Sequence, residues 1–116
     1  MKPQDAIDCL GALAQETRLS IYRLLVKRGP EGYTPGDLVS KTEIPAPTLS
    51  FHLKELQRAG LLHVRREGRF LYYSANFTHM QQLVDFLTEN CCSLADEACD
   101  TACKQLPATQ AKRKRA

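Results

Sequence analysis

No stretch of this 116-residue chain approaches the roughly 18 to 20 consecutive apolar residues that a membrane span requires, and its opening residues, MKPQDAID, lack the apolar core of a secretory signal. Both absences predict a cytoplasmic protein. Missing too are a glycine-rich phosphate loop, a nucleophile paired with a base, and a pair of carboxylates set for acid–base work, so no enzyme is expected. Charge of one sign is scarcer than the formal net charge of +3 suggests. Lys112, Arg113, Lys114 and Arg115 hold four of the 16 basic residues, which leaves 12 against 13 acidic ones elsewhere. Net charge therefore carries no argument for a nucleic-acid partner; only its distribution can. Cysteine is sparse through the first 90 residues, where Cys9 stands alone, and then Cys91, Cys92, Cys99 and Cys103 fall within thirteen positions. A cytosolic chain keeps its thiols reduced, so this clustering points to soft-metal chemistry or redox sensing rather than to structural disulfides. Cys9 itself reads as a small buried hydrophobe.

What is present is an ordinary globular composition, 43% hydrophobic and 25% charged, at a length that fits one domain. The stretch PAPTLSFHLKELQRAG, residues 45–60, organises the rest. Prolines favour a helix start, Gly60 favours its end, and Leu49, Leu53 and Leu56 recur at i, i+4 and i+7 as one buried stripe. The other faces carry Thr48, Ser50, His52, Lys54, Gln57 and Arg58 with Glu55 the only carboxylate, an inventory of donors suited to phosphates and base edges. Ahead of it, Ile7, Leu10, Leu13 and Ala14 recur with helical spacing and predict a first helix over residues 3–14. Leu19, Ile21, Tyr22, Leu24 and Leu25 predict a second over residues 16–27, stopped by Gly29, Pro30 and Gly32. Thr34 can cap a short third helix anchored by Leu38 and Val39. Helix, tight linker, helix is the helix-turn-helix arrangement.

After Gly60 the period changes to that of strands. Residues 62–66 and 69–74 predict a hairpin turned at Glu67 and Gly68, with Arg65, Arg66 and Arg69 clustered at its tip and Leu62, Val64, Leu71 and Tyr73 packing inward. A basic-tipped hairpin following a candidate recognition helix is a wing, whose arginines would reach phosphates or the minor groove. Asn76 or Thr78 can cap a last helix in which Met80, Leu83, Val84 and Leu87 form a stripe; pairing with the first helix, or with the same helix of a second subunit, would bury it, and a two-fold dimer is the economical solution. The expected organisation is a winged-helix DNA-binding and dimerisation domain over residues 1–89, a cysteine-rich inducer-binding segment over 90–106, and a disordered basic tail over 107–116.

Residues 12–25 (ALAQETRLSIYRLL), 50–60 (SFHLKELQRAG) and 65–69 (RREGR) resemble the ArsR/SmtB family of winged-helix, metal-responsive repressors. The likeness covers roughly residues 6 to 89. It implies a mainly α fold, five helices plus a two-stranded wing, in a homodimer that holds double-stranded operator DNA until an inducer releases it. The family's DNA-facing positions match Thr48, Ser50 and His52, and its wing arginines match Arg66 and Arg69. The founding arsenic sensors carry Cys-x-Cys-Asp-Leu at the third helix, where this chain has Thr34-Pro35-Gly36-Asp37-Leu38. The family's zinc site on the last helix would find only His79 and Asp85. The remaining match is the arsenic-responsive variant with a Cys-Cys pair and a further downstream cysteine. It implies As(III), with Sb(III) or methylated As(III) as related inducers, held by Cys91, Cys92 and Cys99, with Cys103 as the alternative third ligand.

Geometry constrains that cluster. On an uninterrupted helix Cys92 and Cys99 would lie roughly 10 Å apart along the axis, and Cys91 and Cys92 would point about 100° apart, so the backbone after Asn90 must leave the helix. Two other readings stand beside the arsenic one: a structural zinc on all four clustered cysteines, and a thiol-redox switch.

Overall fold

The computed structural model describes residues 1–95, so Cys99, Cys103 and the basic tail lie outside the described residues. Five helices and one hairpin follow in the order α1 Pro3–Leu13, α2 Glu16–Arg28, α3 Pro35–Thr42, α4 Ala46–Arg58, β1 Leu62–Glu67, β2 Phe70–Ala75 and α5 Phe77–Thr88. This is the winged helix-turn-helix architecture the sequence predicts. Among the described residues no helix is long and apolar enough to cross a membrane.

Local chemistry sets most boundaries. Thr34 and Asp37 form a reciprocal capping box at α3, with Thr34 Oγ1 accepting from the Asp37 amide and Asp37 Oδ2 from the Thr34 amide, both at 3.1 Å. Asn76 caps α5 through a 3.1 Å bond from the His79 amide to its Oδ1. At the end of α4, Gly60 adopts φ +85° and the Leu61 amide reaches back 3.1 Å to the Leu56 carbonyl, which stops the helix and sends the chain into β1.

The core is built on α4. Leu49, Leu53 and Leu56 are buried as the stripe predicts, alongside Ile21, Tyr22 and Leu25 of α2, Leu38 of α3, and Leu61. Each such leucine contributes about 1.5–3 kcal/mol by leaving water. The first helix is buried on its small residues. Its inner face is Ala6, Cys9 and Ala12, while Ile7 and Leu10 are 60% and 43% exposed. The cause is close approach: Cys9 Sγ lies 3.4 Å from the Ala59 carbonyl at the end of α4, and only small side chains fit such a contact. Ile7 and Leu10 are left facing outward, while Leu13 packs half-buried against the core.

The hairpin pairs antiparallel, Leu62 with Ala75, Val64 with Tyr73 and Arg66 with Leu71. Its loop is Gly68-Arg69, one residue later than Glu67-Gly68, and Gly68 supplies a φ of +62°. Leu62 is buried and Val64 and Tyr73 are half-buried, but Leu71, on the same face, is 38% exposed, because the inward face runs past the helical body before reaching the tip. Tyr33 and Tyr73 exchange backbone hydrogen bonds of 2.9 and 2.8 Å, tying the α2–α3 linker to the wing. Gly32 allows that approach: a Cβ there would sit 2.6 Å from the Tyr73 carbonyl oxygen. On α5 only Leu83 of the expected stripe is buried; Met80 and Val84 are half-buried and Leu87 is 55% exposed.

Candidate nucleic-acid interface and thiol pair

With Leu49, Leu53 and Leu56 inward, the opposite side of α4 is open. Thr48, Ser50 and Lys54 are exposed there, with Arg58 held 2.9 Å from Glu55. His52 is not among them. It is only 8% exposed, and its Nδ1 lies 3.4 Å from Arg18 Nη1. Arg18 in turn donates from Nε to the Ala12 carbonyl at 2.7 Å, so one guanidinium joins α1, α2 and α4. A guanidinium only donates, so Nδ1 is the acceptor in this contact. The expectation that His52 faces DNA is thereby corrected: it supports the helix from inside.

Arg65, expected at the wing tip, is exposed but engaged within the fold. Its guanidinium donates to the Pro30 and Glu31 carbonyls at 3.3 and 3.2 Å, pairs with Glu67 at 3.4 Å, and lies 4.8 Å over the Tyr72 ring. Bound on several sides while still exposed, it braces the wing against the α2–α3 linker. Arg66, donating from Nε to the Gly68 carbonyl at 3.3 Å, and Arg69 in the loop are exposed near the tip. Thr48, Ser50, Lys54, Arg66 and Arg69 are thus accessible, and all are suited to phosphates or base edges.

The joint between α4 and α5 rests on Asn76. Its side-chain amide donates to the Gly60 carbonyl at 3.1 Å, its backbone amide to the Leu61 carbonyl at 2.8 Å, and its Oδ1 caps α5. His79 packs on the same joint, where a Cβ at Gly60 would meet its Nε2 at 2.9 Å. Sequence reasoning recognised Asn76 as a cap, but its tie to Gly60 depends on how the hairpin folds back.

At the far end α5 stops at Thr88, Glu89 turns extended, and Asn90 and Cys92 take φ values of +57° and +64°. The backbone therefore leaves the helix at Glu89, just before the Cys-Cys pair. The two sulfurs come within 3.4 Å of each other. Two bonds of about 2.3 Å, the length of a zinc–thiolate bond, can span that separation, so one thiophilic ion fits both. Among the described residues no three His, Cys, Asp or Glu side chains gather as a metal site, and a third ligand must come from elsewhere. Cys9 is fully buried, and burial first, then Asp5 and Asp8, pushes its thiol above the usual range, which makes it an inert packing residue.

Comparison with known proteins is consistent with this geometry. A helix-turn-helix domain family matches residues 13–65. The transcriptional repressor SdpR of Bacillus subtilis is 34% identical over 76 residues, covering 66% of this chain and 81% of that protein. The cadmium resistance transcriptional regulatory protein CadC homolog of Staphylococcus aureus is 32% identical over 83 residues, covering 72% and 67%. An ArsR-like transcriptional regulator from Rhodococcus sp. RHA1 shares the fold at a TM-score of 0.64 and 24% identity, covering 72% of this chain and 76% of that one. The open polar face of α4, the basic wing beside it and these relatives together place the chain in the ArsR/SmtB family of winged-helix transcriptional regulators.

Proposed function

We propose that this regulator is a repressor that holds operator DNA as a homodimer and releases it when As(III) binds Cys91, Cys92 and Cys99, with Cys103 the alternative third ligand. Thr48, Ser50 and Lys54 of α4 enter the groove while Arg66 and Arg69 hold phosphates. Ile7 and Leu10 of α1 and Leu87 of α5 supply the apolar face that a second copy covers, on two helices that pack together. One observation carries the sensing half of the reading: the Cys91 and Cys92 sulfurs, 3.4 Å apart, sit just past the end of the helix whose start is tied through Asn76 to the end of α4. Trivalent arsenic supplies a pyramidal preference for thiolates, and binding displaces the thiol protons. Gathering a third sulfur from beyond residue 95 reshapes the α5 terminus, and that terminus adjoins the dimer face. Release follows only if the ion binds the DNA-incompetent arrangement more tightly.

Arsenite titration of the reduced full-length protein, followed by sulfur-to-arsenic absorption in the near ultraviolet, tests the ligand set. One ion per chain is expected, abolished by Cys91→Ser, Cys92→Ser or Cys99→Ser and retained by Cys103→Ser. Binding that survives the first three replacements contradicts the reading. One zinc per freshly purified chain would favour a structural site on the four clustered cysteines, and DNA release by peroxide that dithiothreitol reverses would favour a redox switch.

A further inference from the structure

The outer face of α4 carries one residue that phosphate contacts do not explain. Phe51 is 56% exposed, the only large apolar side chain of this helix left in solvent. Isolated exposed aromatics are common, so position decides its meaning. At 3.6 residues per turn, Phe51 lies about opposite the centre of the stripe formed by Leu49, Leu53 and Leu56. It is therefore at the crest of the face turned away from the core. Exposed Lys54 stands three residues on, exposed Pro47 four residues back, and exposed Ser50 immediately before it. The ring is also propped. It meets the His52 imidazole edge-on, centroids 5.4 Å apart at 63°, and His52 is itself held by Arg18. A side chain already constrained loses less entropy on binding.

We propose that Phe51 is a specificity-determining residue that reads a thymine 5-methyl group in the major groove. The assignment rests on the DNA-binding role argued above. A phenyl ring has no donor or acceptor with which to read a base edge, and the 5-methyl of thymine is the apolar feature a base pair displays in that groove. The surrounding charge fits the same occupant: Lys54 shares the face, and the wing carries Arg66 and Arg69, cations suited to the phosphates that flank the groove. Phe51 thus supplies sequence preference while its cationic neighbours supply affinity.

The test uses a duplex enriched by the full-length chain from a random pool, with each thymine then replaced by deoxyuridine, which removes the methyl and leaves every hydrogen-bonding group. At fixed salt, at least one thymine per half-site is expected to weaken wild-type binding about fourfold when replaced, the effect of one buried methyl. Phe51→Ala should bind the thymine duplex more weakly and show no further loss on the deoxyuridine duplex, while Phe51→Leu keeps part of the preference. The salt dependence of Phe51→Ala should match wild type, since no phosphate contact is removed. Thermal unfolding confirms that the variants are folded. A wild-type chain indifferent to deoxyuridine everywhere, or a Phe51→Ala chain with the full wild-type penalty, overturns the assignment and leaves DNA binding standing. A chain that enriches no duplex overturns both.

Discussion

Tyr22 shows how burial alone changes what a side chain can do. It is 5% exposed, its hydroxyl meets no hydrogen-bond partner among the described residues, and burial, then the nearby Cys9, raises its pKa from 10.0 to about 12. The unfolded chain releases this proton near pH 10 and the folded one near 12, so the stabilisation is complete below pH 10 and lost as pH rises through 12. The size is on the order of 2–3 kcal/mol. Urea unfolding of wild type between about pH 9 and 11.5 should show a falling midpoint, and Tyr22→Phe should flatten that fall while matching or exceeding wild-type stability at pH 7. The arginines make a second contrast. Arg65→Ala should lower stability by about 1 kcal/mol and leave the salt dependence of DNA binding nearly unchanged, because its guanidinium is spent on Pro30, Glu31 and Glu67. Arg69→Ala should leave the melting temperature alone and reduce the salt slope by about one. Neither distinction was legible in the sequence. His52 and Arg18 stand 34 positions apart, and Arg65 and Pro30 stand 35, so only the finished fold reveals which donors are already committed. Phe51 was passed over in the sequence, although the leucine stripe alone sets it on the outer face.

Among the elements, caps and stripes with local causes were readable, and partners across the fold were not. Thr34 with Asp37, Asn76 at the start of α5, and the leucines of α4 follow from spacings of a few residues. The inner face of α1 did not follow, because what selects Ala6, Cys9 and Ala12 over Ile7 and Leu10 is the close passage of Cys9 to Ala59, a property of the packed pair. In the proposed mechanism the α4–α5 joint is the element that would carry communication. Gly60→Ala should cost roughly 1–3 kcal/mol, since it combines a φ of +85° with a 2.9 Å approach to His79 Nε2. Adding His79→Ala to Gly60→Ala should recover the steric part and leave the backbone part, so a double-mutant cycle by chemical denaturation should give a coupling clearly different from zero.

At the scale of the whole molecule, the outward Ile7, Leu10 and Leu87 are the apolar face that the proposed pairing of copies would cover. Leu87→Glu should convert dimers to monomers in sedimentation and weaken operator binding at least about tenfold, as two recognition helices lose their fixed spacing. The sequence foresaw that the α5 stripe needed a partner beyond the core, while the outward part of α1 followed only from the packed fold. The central claim joins the two ends of the protein: thiols beyond α5 decide whether α4 stays in the groove. Its most direct measurement is fluorescence anisotropy of the reduced full-length protein on its selected duplex, titrated with arsenite beside a Cys91→Ser/Cys92→Ser variant. Wild type should leave the DNA at about one arsenite per chain while the variant binds equally well and stays bound; a wild-type complex that persists with arsenic held, or a variant released just as readily, would contradict the account.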